Sequence, residues 1–71
     1  MKRKYTLRFD ASKEKWILKL DAKDKVLGIF ATKEAATRAG VLRKALGQQG
    51  GSVRVLARDG TFEEERVFRG S

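Results

Sequence analysis

The residues best placed to do chemistry in this 71-residue sequence are lysines and arginines that alternate with apolar residues. Arg8, Lys15 and Lys19 lie in two such stretches, and in an extended chain they share one face of a sheet with Thr6 and Ile17. Cations spread over a sheet surface suit ionic contacts with a phosphate backbone. We therefore predict that these three side chains form a contact surface for a polyanion.

The charge distribution extends this prediction to the N-terminal half of the chain. The sequence has 17 Lys and Arg against nine Asp and Glu, a net charge of +8, and nine of the basic residues lie in the first 30 positions. Dense positive charge supplies the sequence-independent part of nucleic-acid binding. The predicted partner is therefore DNA or RNA, with the basic run Lys2, Arg3 and Lys4 as a phosphate-contacting arm and Arg54 as a further contact.

Three consecutive glutamates, Glu63, Glu64 and Glu65, are the other group that could do chemistry. Neighbouring residues of a strand point to opposite faces, so only Glu63 and Glu65 converge, which argues against a metal or general-base cluster. We favour the interpretation that these charges solvate a terminal strand, fix its register and oppose aggregation.

Composition excludes several kinds of active site. The sequence has no histidine and no cysteine, so imidazole and thiol chemistry and Cys/His zinc sites are ruled out. It also lacks a G-x-S-x-G motif and a glycine-rich phosphate loop between a strand and a helix. We expect a non-enzymatic protein without cofactor or metal. No apolar run resembles a signal peptide or a membrane span, so we also expect a cytoplasmic protein with no membrane partner.

Five strands and one helix are predicted to position these residues. Alternation with a period of two predicts strands in KYTLRFD, KWILKL, KVLGIF, SVRVLAR and TFEEERVF. Thr32 as N-cap, Glu34 in the first turn and apolar residues every three or four positions predict one helix that reaches Leu46. The order β-β-β-α-β-β defines an α+β domain: a mostly antiparallel sheet with the helix on one face, over residues 1–71, with residues 1–3 flexible.

Two details of the sheet follow from the same patterns. The Asp59-Gly60 pair is typical of a two-residue type I′ turn. That turn predicts the register of the last hairpin, with three facing pairs: Arg54 and Glu65, Val55 and Glu64, Leu56 and Glu63.

The large aromatic side chains alternate with the charged ones, which places them in the core under the helix and argues against a role in base stacking. They are Tyr5, Phe9, Trp16 and Phe30.

The segments KWILKL, FATKEAATRAG and GGSVRVLARDGTFEEERVF together resemble a family of short bacterial and phage domains of unknown function. Members have a W-x-V-K strand, an F-x-T-K-x-E-A helix start and a G-K/R-D-G-x-I-x-E hairpin. The match covers most of residues 15–68 and departs at Ala35, where members usually have glutamate, and at Ala57, where glycine is common. The resemblance implies the same architecture and no particular activity.

A weaker resemblance, over residues 4–47, is to the AP2-like arm-binding domains of phage integrases. These domains join a three-stranded sheet to an F-x-T-K-x-x-A helix start, and the resemblance implies a sheet face that contacts DNA. The last hairpin has no counterpart there, and Ile17 interrupts the basic face with an apolar side chain.

The rival hypothesis is a protein-interaction or homodimerisation module without a nucleic-acid ligand. In that case Ile17, Leu27, Ile29 and Leu56 form the dimer seam and the charge maintains solubility, because a small domain gains stability by pairing. A third alternative is a designed or recombined sequence with no selected ligand.

Overall fold

Alternation of apolar and polar residues produces five strands at the predicted places. The computed structural model describes residues 3–69. The strands are β1 (Lys4–Asp10), β2 (Lys15–Leu20), β3 (Lys25–Phe30), β4 (Gly51–Leu56) and β5 (Phe62–Phe68). They form one sheet in the order β3-β2-β1-β4-β5.

The sheet is antiparallel except at its centre, where β1 and β4 run parallel. This arrangement arises because the helical segment carries the chain from β3, at one edge, past β2 and β1 to the other half of the sheet. The predicted fold class is confirmed: the protein is an α+β domain with a mostly antiparallel sheet.

The helical segment consists of two short helices, α1 (Lys33–Thr37) and α2 (Val41–Leu46). The Thr32 hydroxyl caps α1 as predicted, since it accepts a hydrogen bond from the Ala35 N–H at 3.0 Å. The segment is interrupted after Thr37, because Arg38 has an extended ψ of 147° and Gly40 has a φ of 84°. Glycine adopts positive φ without steric cost and weakens a continuous helix. Within residues 3–69, no helix is long and apolar enough to cross a bilayer.

The core lies between the helices and one side of the sheet, and the predicted burial of the aromatic residues is confirmed. Phe9 and Phe30 pack against the core as partly buried residues, and the rings of Phe9 and Trp16 lie 5.4 Å apart. Arg58 covers the outer surface of the Phe9 ring at 4.5 Å. The buried core residues are Tyr5, Leu7, Trp16, Leu18, Leu20, Ala36, Leu42, Leu46, Val53 and Val55.

The turn of the β4–β5 hairpin differs from the predicted type I′ turn. That turn needs positive φ at both central residues, and Asp59 does not have it. The Ala57 N–H instead donates to the Thr61 carbonyl at 2.7 Å and the Gly60 N–H to the Ala57 carbonyl at 2.9 Å. The loop is therefore one residue longer, with Gly60 in the left-handed region at a φ of 94°. The Asp59 carboxylate stabilises it by accepting from the Thr61 N–H at 3.0 Å and hydroxyl at 2.7 Å.

This longer loop is followed by a β-bulge that changes the register of the hairpin. The predicted pairs Arg54–Glu65 and Val55–Glu64 are confirmed, but Leu56 faces Phe62 and not Glu63. A shift of one residue moves a side chain to the other face of a sheet. The bulge therefore places Phe62 on the side away from the helices.

A second irregularity in the strand pairing, opposite Leu18 and Lys19 of β2, also changes which side chains of β3 lie on each face of the sheet. Gly28 pairs with Leu18, whereas Val26 pairs with Lys19, so Leu27 is the extra residue. Leu27 packs against the core. It therefore cannot belong to the predicted dimer seam, and Val26 takes that place beside Ile29.

Candidate nucleic-acid interface

The side of the sheet that the helices leave uncovered is the candidate interface, and we call it the open face. Because side chains alternate along a strand, the register of the strands decides its members. They are Lys4, Thr6, Arg8 and Asp10 of β1, Lys15, Ile17 and Lys19 of β2, Val26 and Ile29 of β3, Ser52, Arg54 and Leu56 of β4, and Phe62, Glu65 and Val67 of β5. The open face thus brings together Arg8, Lys15, Lys19 and Arg54, as the alternation predicts, and adds Lys4.

Four of these cations have no carboxylate partner. Lys4, Arg8, Lys15 and Arg54 are exposed, and none of them forms an ion pair within residues 3–69. Arg8 lies on the central strand directly opposite Ile17 of β2. These four side chains are therefore the cations of the open face that are not held in an ion pair within residues 3–69.

Lys19, in contrast, is engaged within the protein. Its ammonium group lies 3.2 Å from the Asp24 carboxylate, and its side chain is only 28% exposed. A 3₁₀ turn at Asp21–Lys23 precedes Asp24, which ends the turn in the left-handed conformation at a φ of 49°. The same turn places the Asp21 carboxylate where it accepts a hydrogen bond from the Thr6 hydroxyl at 2.7 Å. This edge of the open face is therefore less positive than the sequence predicts.

A third carboxylate, Asp10, lies at the end of β1 opposite Lys15. The Ser12 hydroxyl donates to it at 2.6 Å, and this hydrogen bond is the main reason why the pKa of Asp10 lies below its usual value. Asp10 therefore remains ionised and offsets part of the Lys15 charge.

Arg54 and Glu65 face each other as predicted, but they do not form an ion pair. The Glu65 carboxylate accepts a hydrogen bond from the Ser52 hydroxyl at 2.5 Å instead. Ser52 is almost fully buried, so this hydrogen bond satisfies its hydroxyl and leaves Arg54 free.

The other two glutamates of the run contact the helix side of the molecule. Glu63 forms an ion pair with Lys33 of α1, and Glu64 forms one with Arg66 at 2.8 Å. Each of the three carboxylates thus has its own partner, and they do not converge. Among residues 3–69 there is no group of three Asp or Glu side chains that could hold a metal ion.

The predicted N-terminal arm is partly built into the sheet. The Arg3 carbonyl accepts a hydrogen bond from the Ser52 N–H at 2.8 Å, and Lys4 is the first residue of β1. Both side chains are exposed. Lys2 lies outside the described residues.

The margins of the open face are apolar, and of their exposed side chains the sequence pattern indicated only Ile29, as part of the alternative dimer seam. Ile29 and Val26 on one edge strand are 55% and 45% exposed, and Phe62 and Val67 on the other are 60% and 54% exposed. Ile17, between the cations, is only 3% exposed although it lies on the face that the helices leave uncovered. In the sequence, the pattern that could have indicated these margins is the break in apolar–polar alternation at Leu27-Gly28 and at the glutamate run.

Comparisons of the chain with protein families, with curated proteins and with solved structures give no match. The two family resemblances therefore stay predictions.

Proposed function

We propose that this chain is a non-enzymatic domain that binds nucleic acid by placing cations of the open face against backbone phosphates. The observation that carries the proposal is the set of four exposed cations on that face, Lys4, Arg8, Lys15 and Arg54, which form no ion pair within residues 3–69. A cation without a partner gains most from a phosphate, because its contact releases a counterion from the nucleic acid.

The spacing of the four cations favours an extended anion. They come from β2, β1 and β4, three adjacent strands whose backbones lie about 5 Å apart. Lys4 and Arg8 are four residues apart on β1, which separates them by about 13 Å. A surface of roughly 10 by 13 Å is too large for one phosphate and suits a polymer with regularly spaced charges.

The aromatic residues favour backbone contacts over base stacking. Tyr5 and Trp16 are buried on the helix side, where Phe9, Phe30 and Phe68 pack against them. Within residues 3–69, Phe62 is the one aromatic residue on the open face, and it lies at the margin. Stacking needs exposed aromatic rings, so we expect binding that depends little on base sequence and strongly on salt.

The test is a titration of duplex and single-stranded oligonucleotides at several salt concentrations, with fluorescence anisotropy as the readout. Four phosphate contacts give an expected slope of log K against log salt of about −3.6 for duplex DNA, at roughly 0.9 per contact. The variant R8Q/K15Q should reduce this slope to about −1.8. Absence of binding at low salt would refute the proposal.

The matched control is K13Q/K44Q, which removes the same charge from exposed positions outside the strands. Lys13 lies in the β1–β2 turn and Lys44 in α2. The control should keep a salt slope close to that of the unaltered protein. Equal losses in the two variants would mean that net charge, and not the open face, governs binding.

A second candidate function, self-association, is favoured by the apolar margins of the open face. Val26, Ile29, Phe62 and Val67 are all about half exposed there, and burial of such side chains between two copies would stabilise a small domain. Sedimentation equilibrium should then show a mass that rises with concentration, and less so for I29S/F62S. A monomer at high concentration would discard this candidate.

A further inference from the structure

We infer that a second site, for a phosphate monoester, lies on the helix side of the sheet in a cleft between β5 and the α1–α2 connection. The cleft has a volume of about 360 Å³ and is lined by Arg38, Arg43 and Arg66 together with Leu42 and Phe68. This volume is at the lower end of the range for small-molecule sites, about 300–1,000 Å³, and is sufficient for a phosphate group with a small substituent.

Arg66 is held in place by two hydrogen bonds. Its Nε–H donates to Glu64 at 2.8 Å, and its Nη1 donates to the Thr37 carbonyl at 3.3 Å. A guanidinium group carries about five N–H donors, so about three remain for a ligand. Arg66 therefore enters the cleft with its orientation fixed and most of its donors unused.

The other two arginines reach the same cleft because the helix is interrupted. In a continuous helix, residues 38 and 43 would point in directions about 140° apart, at roughly 100° per residue. The extended ψ of 147° at Arg38 and the φ of 84° at Gly40 interrupt the helix between the two residues, and both residues line the cleft. Arg38 and Arg43 are exposed, and neither forms an ion pair or a side-chain hydrogen bond within residues 3–69.

The charge of the cleft matches a dianion. Of the three arginines that line the cleft, only Arg66 is paired with a carboxylate, that of Glu64, so within residues 3–69 the charges of the other two have no carboxylate partner. A phosphate monoester carries about −1.5 to −2 near neutral pH, whereas a carboxylate or a backbone phosphodiester carries about −1. The planar guanidinium fork also matches phosphate oxygens in geometry. The inference is independent of the nucleic-acid proposal, since it concerns other residues on the opposite side of the sheet.

The test titrates inorganic phosphate into isotopically labelled protein at neutral pH, with the ionic strength held constant by sodium chloride. Saturable NMR shifts are expected at the Arg38, Arg43 and Arg66 side-chain Nε–H groups. The variant R38Q/R43Q should weaken binding about tenfold or more, because it removes charge-assisted hydrogen bonds. The control K13Q/K44Q should change it less than about twofold. Non-saturating shifts, equal shifts with acetate, or equal losses in the two variants would overturn the inference.

A second arm identifies the source of the phosphate by comparing one duplex with 5′-phosphate ends and the same duplex with 5′-hydroxyl ends. Tighter binding of the phosphorylated duplex, lost in R38Q/R43Q, would support the inference with a nucleic-acid terminus as ligand. Equal binding of the two duplexes, with saturable phosphate binding retained, would support it with a free phosphate compound as ligand. The phosphate titration remains decisive for the cleft even if neither duplex binds.

Discussion

The substitution Gly51→Ala should severely destabilise the protein, because Gly51 lies at the point where β4 meets β1. A Cβ atom at this position would lie 2.6 Å from the Arg3 carbonyl oxygen and 2.7 Å from the Tyr5 ring. The φ of Gly51 is +139°, which residues with a side chain rarely adopt. The nearest atom belongs to the backbone, and the same oxygen accepts the Ser52 N–H at 2.8 Å. Relief of the clash therefore requires β1 and β4 to move apart.

Two costs contribute to the expected loss of stability. Backbone strain for a side chain at such a φ is about 1–3 kcal/mol, and overpacking at a buried site adds about 1–3 kcal/mol. Their sum, about 4 kcal/mol, approaches the free energy of unfolding of a domain of this size, roughly 4–10 kcal/mol. In a domain this small, the melting temperature should fall by about 15 °C or more.

Circular dichroism with thermal and urea unfolding measures this effect, and Gly47→Ala is the matched control. Gly47 also has a positive φ, +70°, but an added Cβ there would have no atom within 4 Å. With a ψ of −157°, Gly47 also lies in a region of backbone conformation that is essentially restricted to glycine, so the control should lose only this conformational part, about 1–3 kcal/mol. Equal unfolding midpoints for the two variants would show that the close approach to Arg3 does not limit the position.

Two further predictions concern the last turn and the open face. Hydrogen bonds, chiefly from the Thr61 N–H, lower the pKa of Asp59 in the folded protein. The ionised Asp59 carboxylate therefore stabilises the fold above the ordinary aspartate pKa of about 3.9. This stabilisation is lost as the pH falls through the lower pKa that Asp59 has in the folded state. When the pH falls below about 4, the midpoint of urea unfolding should decrease less for D59N than for the unaltered protein. Parallel plots of midpoint against pH for the two proteins would contradict this prediction. Ile17→Ala should cost about 2–4 kcal/mol because Ile17 is 3% exposed, whereas Ile29→Ala, at 55% exposure, should cost less than about 1 kcal/mol. Equal losses in urea unfolding would mean that Ile17 is not enclosed.

The strands were predictable because each has a stretch of regular alternation, as at Tyr5, Leu7 and Phe9. The irregularities in the pairing of β3 and β5 could not be predicted in this way. In β5 the bulge follows Phe62, within a run of glutamates that has no apolar residues to mark a change of face. The spacing of Phe62 and Phe68 suggests one face, and the bulge separates them.

The candidate interface was predictable where it depends on alternation alone and not where it depends on tertiary contacts. Alternation suffices to put Arg8 and Lys15 on one face. The ion pair of Lys19 with Asp24 requires a left-handed residue after a 3₁₀ turn, which no local pattern marks. The cleft brings together Arg38, at the break between the two helices, and Arg66, which lies 28 residues later on β5. They are neighbours because β5 pairs with β4 in the sheet, and no local sequence pattern predicts this contact.

The parallel seam between β1 and β4 has a consequence for the nascent chain. Lys4 pairs with Ser52, 48 positions later, so translation of the first three strands precedes that of the neighbour of β1. During this interval the edge of β1 that will later pair with β4 has backbone N–H and C=O groups without hydrogen-bond partners. Such an unpaired edge can pair with another nascent chain on the same polysome. Lysine and arginine side chains along β1 oppose this by mutual repulsion. The charges that we propose for ligand binding would thus also protect the protein during its biosynthesis.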